Sequence, residues 1–148
     1  MDSVHPTQAS KLSSGWIRAG TERAIKTTAS RTRVNLLGAI RLGHLSNTIN
    51  QSFERVNGDA IVDFMVQLRQ ESCVLGTIHL ITDCAGYHKA HSVRDKAKEL
   101  GIQLHFLPPY SPNLYPIERL WMVMNEYVRN NQYFDSAKEF RHKINYFF

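Results

Sequence analysis

The chain has 148 residues, of which 43% are hydrophobic and 10% aromatic, so it is long enough for one globular domain with its own core. No apolar run approaches the roughly 18 residues of a membrane helix, and the N-terminus lacks an export signal. We therefore expect a cytoplasmic protein without a membrane partner. Cys73 and Cys84 have neither the number nor the spacing of a disulfide framework or a zinc site.

The net charge of +5 is concentrated in the first third of the chain. Residues 1–56 contain eight Lys and Arg against three Asp and Glu, whereas residues 57–148 contain ten of each. Between residues 11 and 33 the cations alternate with Ser and Thr, which is typical of a surface that follows nucleic-acid phosphates. On charge alone, a solvated loop fits equally well. The candidate DNA contacts are Arg18, Arg23, Lys26, Arg31 and Arg33.

Hydrophobic patterning in the next part predicts an antiparallel hairpin and then a helix. Residues 33–40 and 48–56 are typical of two strands joined by a turn that contains Gly43. Asp59 is the expected N-cap of a helix that ends near Glu71. Four of its apolar residues recur at the spacing of one buried face: Ile61, Phe64, Met65 and Leu68.

Residues 77–106 predict a parallel crossover unit. A strand over residues 77–82 is interrupted at Asp83, and a helix from about Lys89 ends at Gly101, a residue suited to the left-handed position after a helix. A second strand follows over residues 102–106. Together with the hairpin, this unit predicts an α/β fold with a mixed sheet and helices on both faces.

The last part of the chain predicts a stiff loop and two helices. Four prolines exclude regular structure between residues 108 and 116, and Pro116 suits the first turn of a helix. Glu118 falls at the edge of the buried stripe of that helix, and Ser136 with Glu139 forms a capping box for the last one. The expected buried residues are Ile117, Leu120, Trp121, Met124, Val128, Phe140, Ile144 and Phe147.

Three carboxylates stand out by position: Asp2 at the start of the chain, Asp83 at a strand end, and Glu118 in a first helical turn. If they share one cleft, each raises the pKa of the others unless a cation neutralises them. Oxygen ligands suit Mg²⁺ or Mn²⁺, and two such ions about 4 Å apart can drive phosphodiester cleavage. Taken singly, each acid is explained equally well as a helix cap, a helix-dipole partner or a disordered terminal residue.

Five sequence blocks carry a family pattern: Asp2–Pro6, Gly15–Gly20, Arg33–Ala39, Ile81–His88 and Leu107–Trp121. In this order they closely resemble the catalytic core of bacterial insertion-sequence transposases related to the mariner elements. Together they span nearly the whole chain. The 34 residues between Asp83 and Glu118 match the spacing that this DDE family shows between its second and third acids.

The resemblance implies a ribonuclease-H-like fold with a truncated first strand, forming one catalytic domain over residues 1–148 without a helix-turn-helix. It implies that Asp2, Asp83 and Glu118 are catalytic and hold two Mg²⁺ or Mn²⁺ ions. It also implies cleavage at transposon ends, strand transfer into target DNA, and a homo-oligomer acting at the bacterial nucleoid. In mariner relatives the region between the first two strands helps to hold DNA or a partner subunit, which here corresponds to residues 11–33.

Two residues depart from the family pattern: Cys84 and Tyr115 each replace an Asn that is usual there. We expect Tyr115 to loosen the first turn of the helix that carries Glu118, because an N-cap is lost. Two alternatives to the DNA transposase stay open. One is a catalytically inactive remnant that only binds DNA or a partner chain, and the other is a related nuclease that acts on RNA or a hybrid.

A few other residues have competing interpretations. His88 and His91 form either a metal-binding pair or, as the pattern favours, a solvent-facing pair. Pro109 and Pro112 satisfy a polyproline-ligand pattern that often arises by chance. Trp121 is expected in the core, whereas Trp16 is a candidate for stacking on bases.

Overall fold

The computed structural model describes residues 1–108 and 114–148. The chain divides into two compact units: the sheet unit, residues 1–4 and 35–119, and the second unit, residues 5–34 and 120–148. That residues 1–148 form one catalytic domain stays a prediction. The polyproline-ligand pattern at 109–112 lies outside the described residues.

The elements in chain order are β1 (Asp2–Val4), β2 (Asn35–Arg41), β3 (His44–Phe53), α1 (Gly58–Glu71), β4 (Ile78–Thr82), a short 3₁₀ helix (Gly86–Lys89), α2 (His91–Glu99), β5 (Ile102–Phe106), α3 (Pro116–Val128) and α4 (Ala137–Phe147).

The predicted hairpin is formed by β2 and β3, and β1 pairs with the other edge of β2, so that Asp2 lies opposite Gly38. The turn is tighter than expected, because Arg41 already pairs with His44. Gly43 makes this possible with a φ of +83°, which other residues rarely adopt. As a result β3 begins four residues earlier than the predicted strand, at His44.

The prediction that Asp59 caps α1 was wrong. The N-cap is Asn57, which has an extended backbone and whose side-chain oxygen accepts the amide hydrogen of Ala60 at 3.0 Å. Asp59 lies in the first turn, where its charge interacts favourably with the helix dipole. The predicted buried face of α1 is confirmed, since its four apolar residues are at most 7% exposed.

The parallel crossover is also present, because β4 pairs with β5 in parallel along their whole length. The helix between them starts later than predicted. Residues Gly86–Lys89 form a 3₁₀ turn, and Ala90, with φ −58° and ψ 145°, interrupts the backbone before α2 begins at His91. Gly101 has the expected positive φ of 65° after the helix.

The strands form an antiparallel sheet with the order β3-β2-β1 and a parallel sheet of β4 and β5. Two contacts join β1 and the residue before it to the region of β4. The Met1 nitrogen donates to the Ile81 carbonyl oxygen at 2.7 Å, and the Ser3 hydroxyl lies 3.3 Å from the Tyr87 hydroxyl. Antiparallel and parallel pairing in one α/β unit confirms the predicted fold class. Its core contains Leu37, Ile61, Phe64, Met65, Leu80, Val93 and Ile102.

The second unit contains most of α3, all of α4 and the segment before β2. Trp121, at 5% exposure, is a core residue as predicted. Ser136 caps α4 by accepting the Glu139 amide at 3.1 Å, and the Glu139 carboxylate accepts the Asp135 amide at 3.0 Å. The capping box is thus present, except that its second bond comes from the amide of Asp135, the residue before the N-cap. No helix in the described part of the chain is long and apolar enough to cross a membrane.

Candidate active site

Asp2 and Asp83 lie at neighbouring positions of the sheet unit. Asp83 directly follows the last residue of β4, and the bond from Met1 to Ile81 brings Asp2 on β1 alongside that strand end. Both side chains are only partly buried. The Asp83 Oδ1 atom accepts the amide hydrogen of Ala85 at 3.0 Å, a local turn that fixes the direction of the carboxylate.

The two carboxylates act on the same neighbouring groups. Burial raises the pKa of both the Tyr115 and Tyr87 hydroxyls, and the negative charges of Asp2 and Asp83 raise each of them further. Both phenols are therefore protonated near neutral pH and are available as hydrogen-bond donors. The charges of Asp2 and Asp83 therefore act on the same two phenols.

His88 is a neighbour of Asp83 that sequence reasoning missed. Its ring is 1% exposed, and its Nε2 atom lies 3.2 Å from Asp83 Oδ1. Neither ring nitrogen has a hydrogen-bond partner in the described part of the chain. Burial lowers the pKa of His88 to about 4, against the opposing effect of Asp83, so the ring is neutral at pH 7.

The expectation that His88 and His91 form a solvent-facing pair was therefore wrong for His88. His91 is exposed, but the 3₁₀ turn before α2 directs His88 into the protein, where it packs edge-on against Tyr87 with ring centroids 4.5 Å apart. The only signal in the sequence was a histidine five residues after Asp83, which is weak without knowledge of the turn.

Glu118 occupies the first turn of α3 and is exposed. Its backbone amide donates to the Tyr115 carbonyl oxygen at 3.0 Å, so the first turn is closed although Tyr115 replaces the capping Asn. Within residues 1–108 and 114–148, no three His, Cys, Asp or Glu side chains lie close enough to share an ion. The main chain beside Asp2 thus lies next to the strand that ends at Asp83, and the three acids do not form one group among the described residues.

The donor atoms around Asp2 and Asp83 fit a hard divalent cation. Both side chains offer carboxylate oxygens, the ligands that Mg²⁺ and Mn²⁺ prefer. The nearby thiol of Cys84 donates to the Leu107 carbonyl oxygen at 3.2 Å, so it is engaged elsewhere. His88 is neutral at pH 7, so its ring does not neutralise Asp83. A cation bound here would.

In the second unit, the five candidate DNA contacts are all exposed: Arg18, Arg23, Lys26, Arg31 and Arg33. No ion pair with another described residue occupies any of them. Lys26 lies 5.9 Å from the centre of the Tyr133 ring, a cation–π distance. Trp16 is fully exposed in the same segment. These side chains are available to a ligand.

Two polar side chains just after the end of α3, those of Arg129 and Asn131, hold the base of this segment. The Arg129 guanidinium donates to the carbonyl and hydroxyl oxygens of Thr7, each at 2.9 Å. The Asn131 side chain accepts the Ser13 amide and donates to the Ser13 carbonyl, both at 2.9 Å. The base of the segment is therefore fixed while its cations face solvent.

Comparison with known proteins identifies the family. The family model described as DDE superfamily endonuclease matches residues 1–141. No curated protein sequence matches the chain significantly. Among solved structures, the chain is similar to Mos1 transposase in a paired-end complex with the left transposon end, with 19% identity and a TM-score of 0.73. It is also similar to a Mos1 mariner paired-end complex with Mn, with 17% identity and a TM-score of 0.71.

Each of these matches covers 99% of this chain and 46% of the Mos1 chain, so the protein spans just under half the length of those relatives. The catalytic core domain of BIV integrase is similar over 64% of this chain and 60% of its own, with 21% identity and a TM-score of 0.51. These likenesses confirm the ribonuclease-H-like fold expected from the sequence. With the match over residues 1–141, they show that the chain belongs to the DDE superfamily of endonucleases and has the fold of a DDE transposase catalytic domain.

Proposed function

We propose that this chain cuts DNA phosphodiesters at transposon ends and joins the ends to target DNA, with Asp2, Asp83 and Glu118 as its metal ligands. The observation that carries the proposal is the hydrogen bond from Met1 to Ile81, which sets Asp2 beside the strand end that bears Asp83. Membership of the DDE endonuclease superfamily supports the same chemistry. Further support comes from the similar Mos1 structures, which include a strand transfer complex.

The proposed cofactors are two Mg²⁺ or Mn²⁺ ions. Asp2 and Asp83 would hold them from the sheet, and Glu118 would complete the set from α3. When bound, the ions would activate the attacking water or 3′-hydroxyl and stabilise the departing oxygen. The protein contributes an oriented Asp83 carboxylate, through Ala85, and a neutral His88 that does not compete for its charge.

We further propose that the exposed cations between residues 11 and 33 bind DNA phosphates, and that the active form is a homo-oligomer in the bacterial cytoplasm, at the nucleoid. Exposed Arg and Lys without ion-pair partners gain most from contact with phosphate, because binding releases condensed counterions from the DNA. The paired-end complexes of Mos1 support an assembly that holds two transposon ends.

The test compares Asp83→Asn with Asp63→Asn, which removes one exposed carboxylate from α1. With supercoiled DNA and Mg²⁺ or Mn²⁺, we expect nicking by the wild type and by Asp63→Asn. Asp83→Asn should reduce the rate by about three orders of magnitude, because a lost metal ligand removes several kcal/mol of transition-state stabilisation. DNA binding at equal salt should be the same in all three proteins.

Two other outcomes are informative. Salt-sensitive DNA binding without a metal-dependent product in any of the proteins would reject the nuclease and favour the inactive, DNA-binding remnant. Cleavage of RNA or an RNA–DNA hybrid in preference to a matched DNA duplex would instead favour the third interpretation. Nicking that survives Asp83→Asn would reject the assignment of the metal ligands.

A further inference from the structure

Tyr115 makes hydrogen bonds beside two of the three candidate ligands, Glu118 and Asp2. It immediately precedes α3, and its carbonyl oxygen accepts the amide hydrogen of Glu118 at 3.0 Å. The main chain of Tyr115 therefore closes the helical turn from which Glu118 projects. Its side chain is 8% exposed, so the phenol ring points into the protein and not into solvent.

The hydroxyl of Tyr115 contacts the strand that carries the first candidate ligand. It donates a hydrogen bond to the carbonyl oxygen of Met1, the residue directly before Asp2. The same residue thus reaches the helix of Glu118 through its backbone and the strand of Asp2 through its side chain. Tyr115 by itself therefore connects the helix that carries Glu118 to the strand that carries Asp2.

A cavity adjoins Tyr115. It is mainly apolar, has a volume of about 400 Å³, and is also lined by Met1, Ile81 and Ile117. A residue beside a cavity makes fewer dispersion contacts on that side. Since the hydroxyl donates to the Met1 carbonyl oxygen, directly before β1, we expect that bond to fix where the start of α3 lies relative to the strand.

We propose that Tyr115 is a positioning residue that ties the helix of Glu118 to the strand of Asp2 and thereby sets the affinity of the candidate site for divalent cations. The inference rests on the proposed function. Ligands that are already held near their bound positions lose less freedom when an ion binds, so a link of this kind raises affinity. Removing a residue that orients a metal ligand typically weakens metal binding about 10- to 100-fold.

The test is Tyr115→Phe, which removes only the hydroxyl, with Tyr127→Phe as the matched control. Tyr127 lies on α3, the helix that follows Tyr115, and is 69% exposed. Two quantities are measured: the Mn²⁺ concentration that gives half-maximal DNA nicking, and Mn²⁺ binding without DNA, followed by the rise in melting temperature. For Tyr115→Phe we expect both to require about 10-fold more Mn²⁺. Nicking at saturating Mn²⁺ should stay close to that of the wild type, and Tyr127→Phe should be unchanged.

Tyr115→Asn provides a second variant. Asn can cap the first turn of α3, but its side chain is too short to replace the phenol hydroxyl at the Met1 carbonyl, so it should show the same increased Mn²⁺ requirement. A folded Phe or Asn variant with wild-type Mn²⁺ requirement would overturn the role of Tyr115, as would a lower maximal rate with that requirement unchanged. A wild type that neither binds Mn²⁺ nor nicks DNA would overturn the proposed function itself, and the inference with it.

Discussion

The strand ends that bear Asp2 and Asp83 and the basic segment of residues 11–33 are organised by different physical means. The strand ends belong to the sheet unit, whose core residues, such as Leu37 and Phe64, are fully buried. Backbone hydrogen bonds set the positions of both acids. The basic segment has exposed side chains, and it is held by polar contacts at its base, from Arg129 and Asn131.

This difference matches what each region has to do under the proposed function. Metal ligands must be held to within about 0.5 Å of their working positions, which requires a packed scaffold. Phosphate attraction acts over the Debye length of about 8–10 Å, so cations on a loosely held segment are sufficient. The protein therefore uses its core for geometry and its exposed segment for affinity, and substitutions in the two regions should have different consequences.

The largest effect is expected for Phe64→Ala in the core beneath the sheet. Phe64 is fully buried, and replacing a buried Phe by Ala costs about 3–5 kcal/mol of unfolding free energy. Leu12→Ala, at a position in the basic segment that is 65% exposed, should cost less than about 0.5 kcal/mol. Urea unfolding measures both. Equal losses would show that the two regions are not organised differently.

A smaller effect is expected when the base of the basic segment is loosened. Arg129→Ala removes the bonds to Thr7 and to the Asn125 side chain, and should cost about 1–3 kcal/mol because partly buried acceptors lose their donor. Trypsin should then cleave the segment faster at sites such as Arg18 and Arg23. Arg141→Ala, an exposed change on α4, is the control. Unchanged proteolysis would mean that Arg129 does not hold the segment.

Much of the sheet unit could be predicted from the sequence, because hydrophobic periodicity reports burial directly. The hairpin, the buried face of α1 and the parallel crossover were all recognisable from alternating or helically spaced apolar residues. The position of Asp83 at the end of β4 followed from the abrupt end of an apolar run. These features depend on neighbours in sequence, so local patterns are sufficient to find them.

The arrangement of the candidate site could not be predicted in this way. The Met1 to Ile81 bond joins residues 80 positions apart, and no local pattern specifies it. Only the resemblance to a family assigned Asp2 and Asp83 to one site. The burial of His88 depended on a 3₁₀ turn that the helical periodicity did not indicate. Tyr115, expected only to weaken a helix start, has a buried hydroxyl whose acceptor is distant in sequence.

The third prediction tests by DNA binding whether the basic segment differs from the rest of the protein. Arg18→Gln with Arg23→Gln removes two exposed charges from the basic segment, and Lys96→Gln with Lys98→Gln removes two from α2, where both lysines pair with acids. We expect the first pair to lower the slope of log affinity against log salt by about 1.8, if each arginine contacts one phosphate. Fluorescence anisotropy across a salt series measures the slopes. An equal fall in the second pair would show that attraction is spread over the whole protein.

The smallest effect concerns the start of α1, where the scaffold itself relies on a single polar side chain. Asn57→Ala removes the acceptor of the Ala60 amide and should cost about 1 kcal/mol, because one free helical donor is left without a partner. Asp59→Ala removes only a favourable charge near the helix dipole and should cost about 0.3 kcal/mol at low salt. Added salt should reduce the second loss and leave the first unchanged, since only the second is electrostatic at long range. A larger loss for Asp59→Ala would restore Asp59 as the cap and contradict the assignment of Asn57.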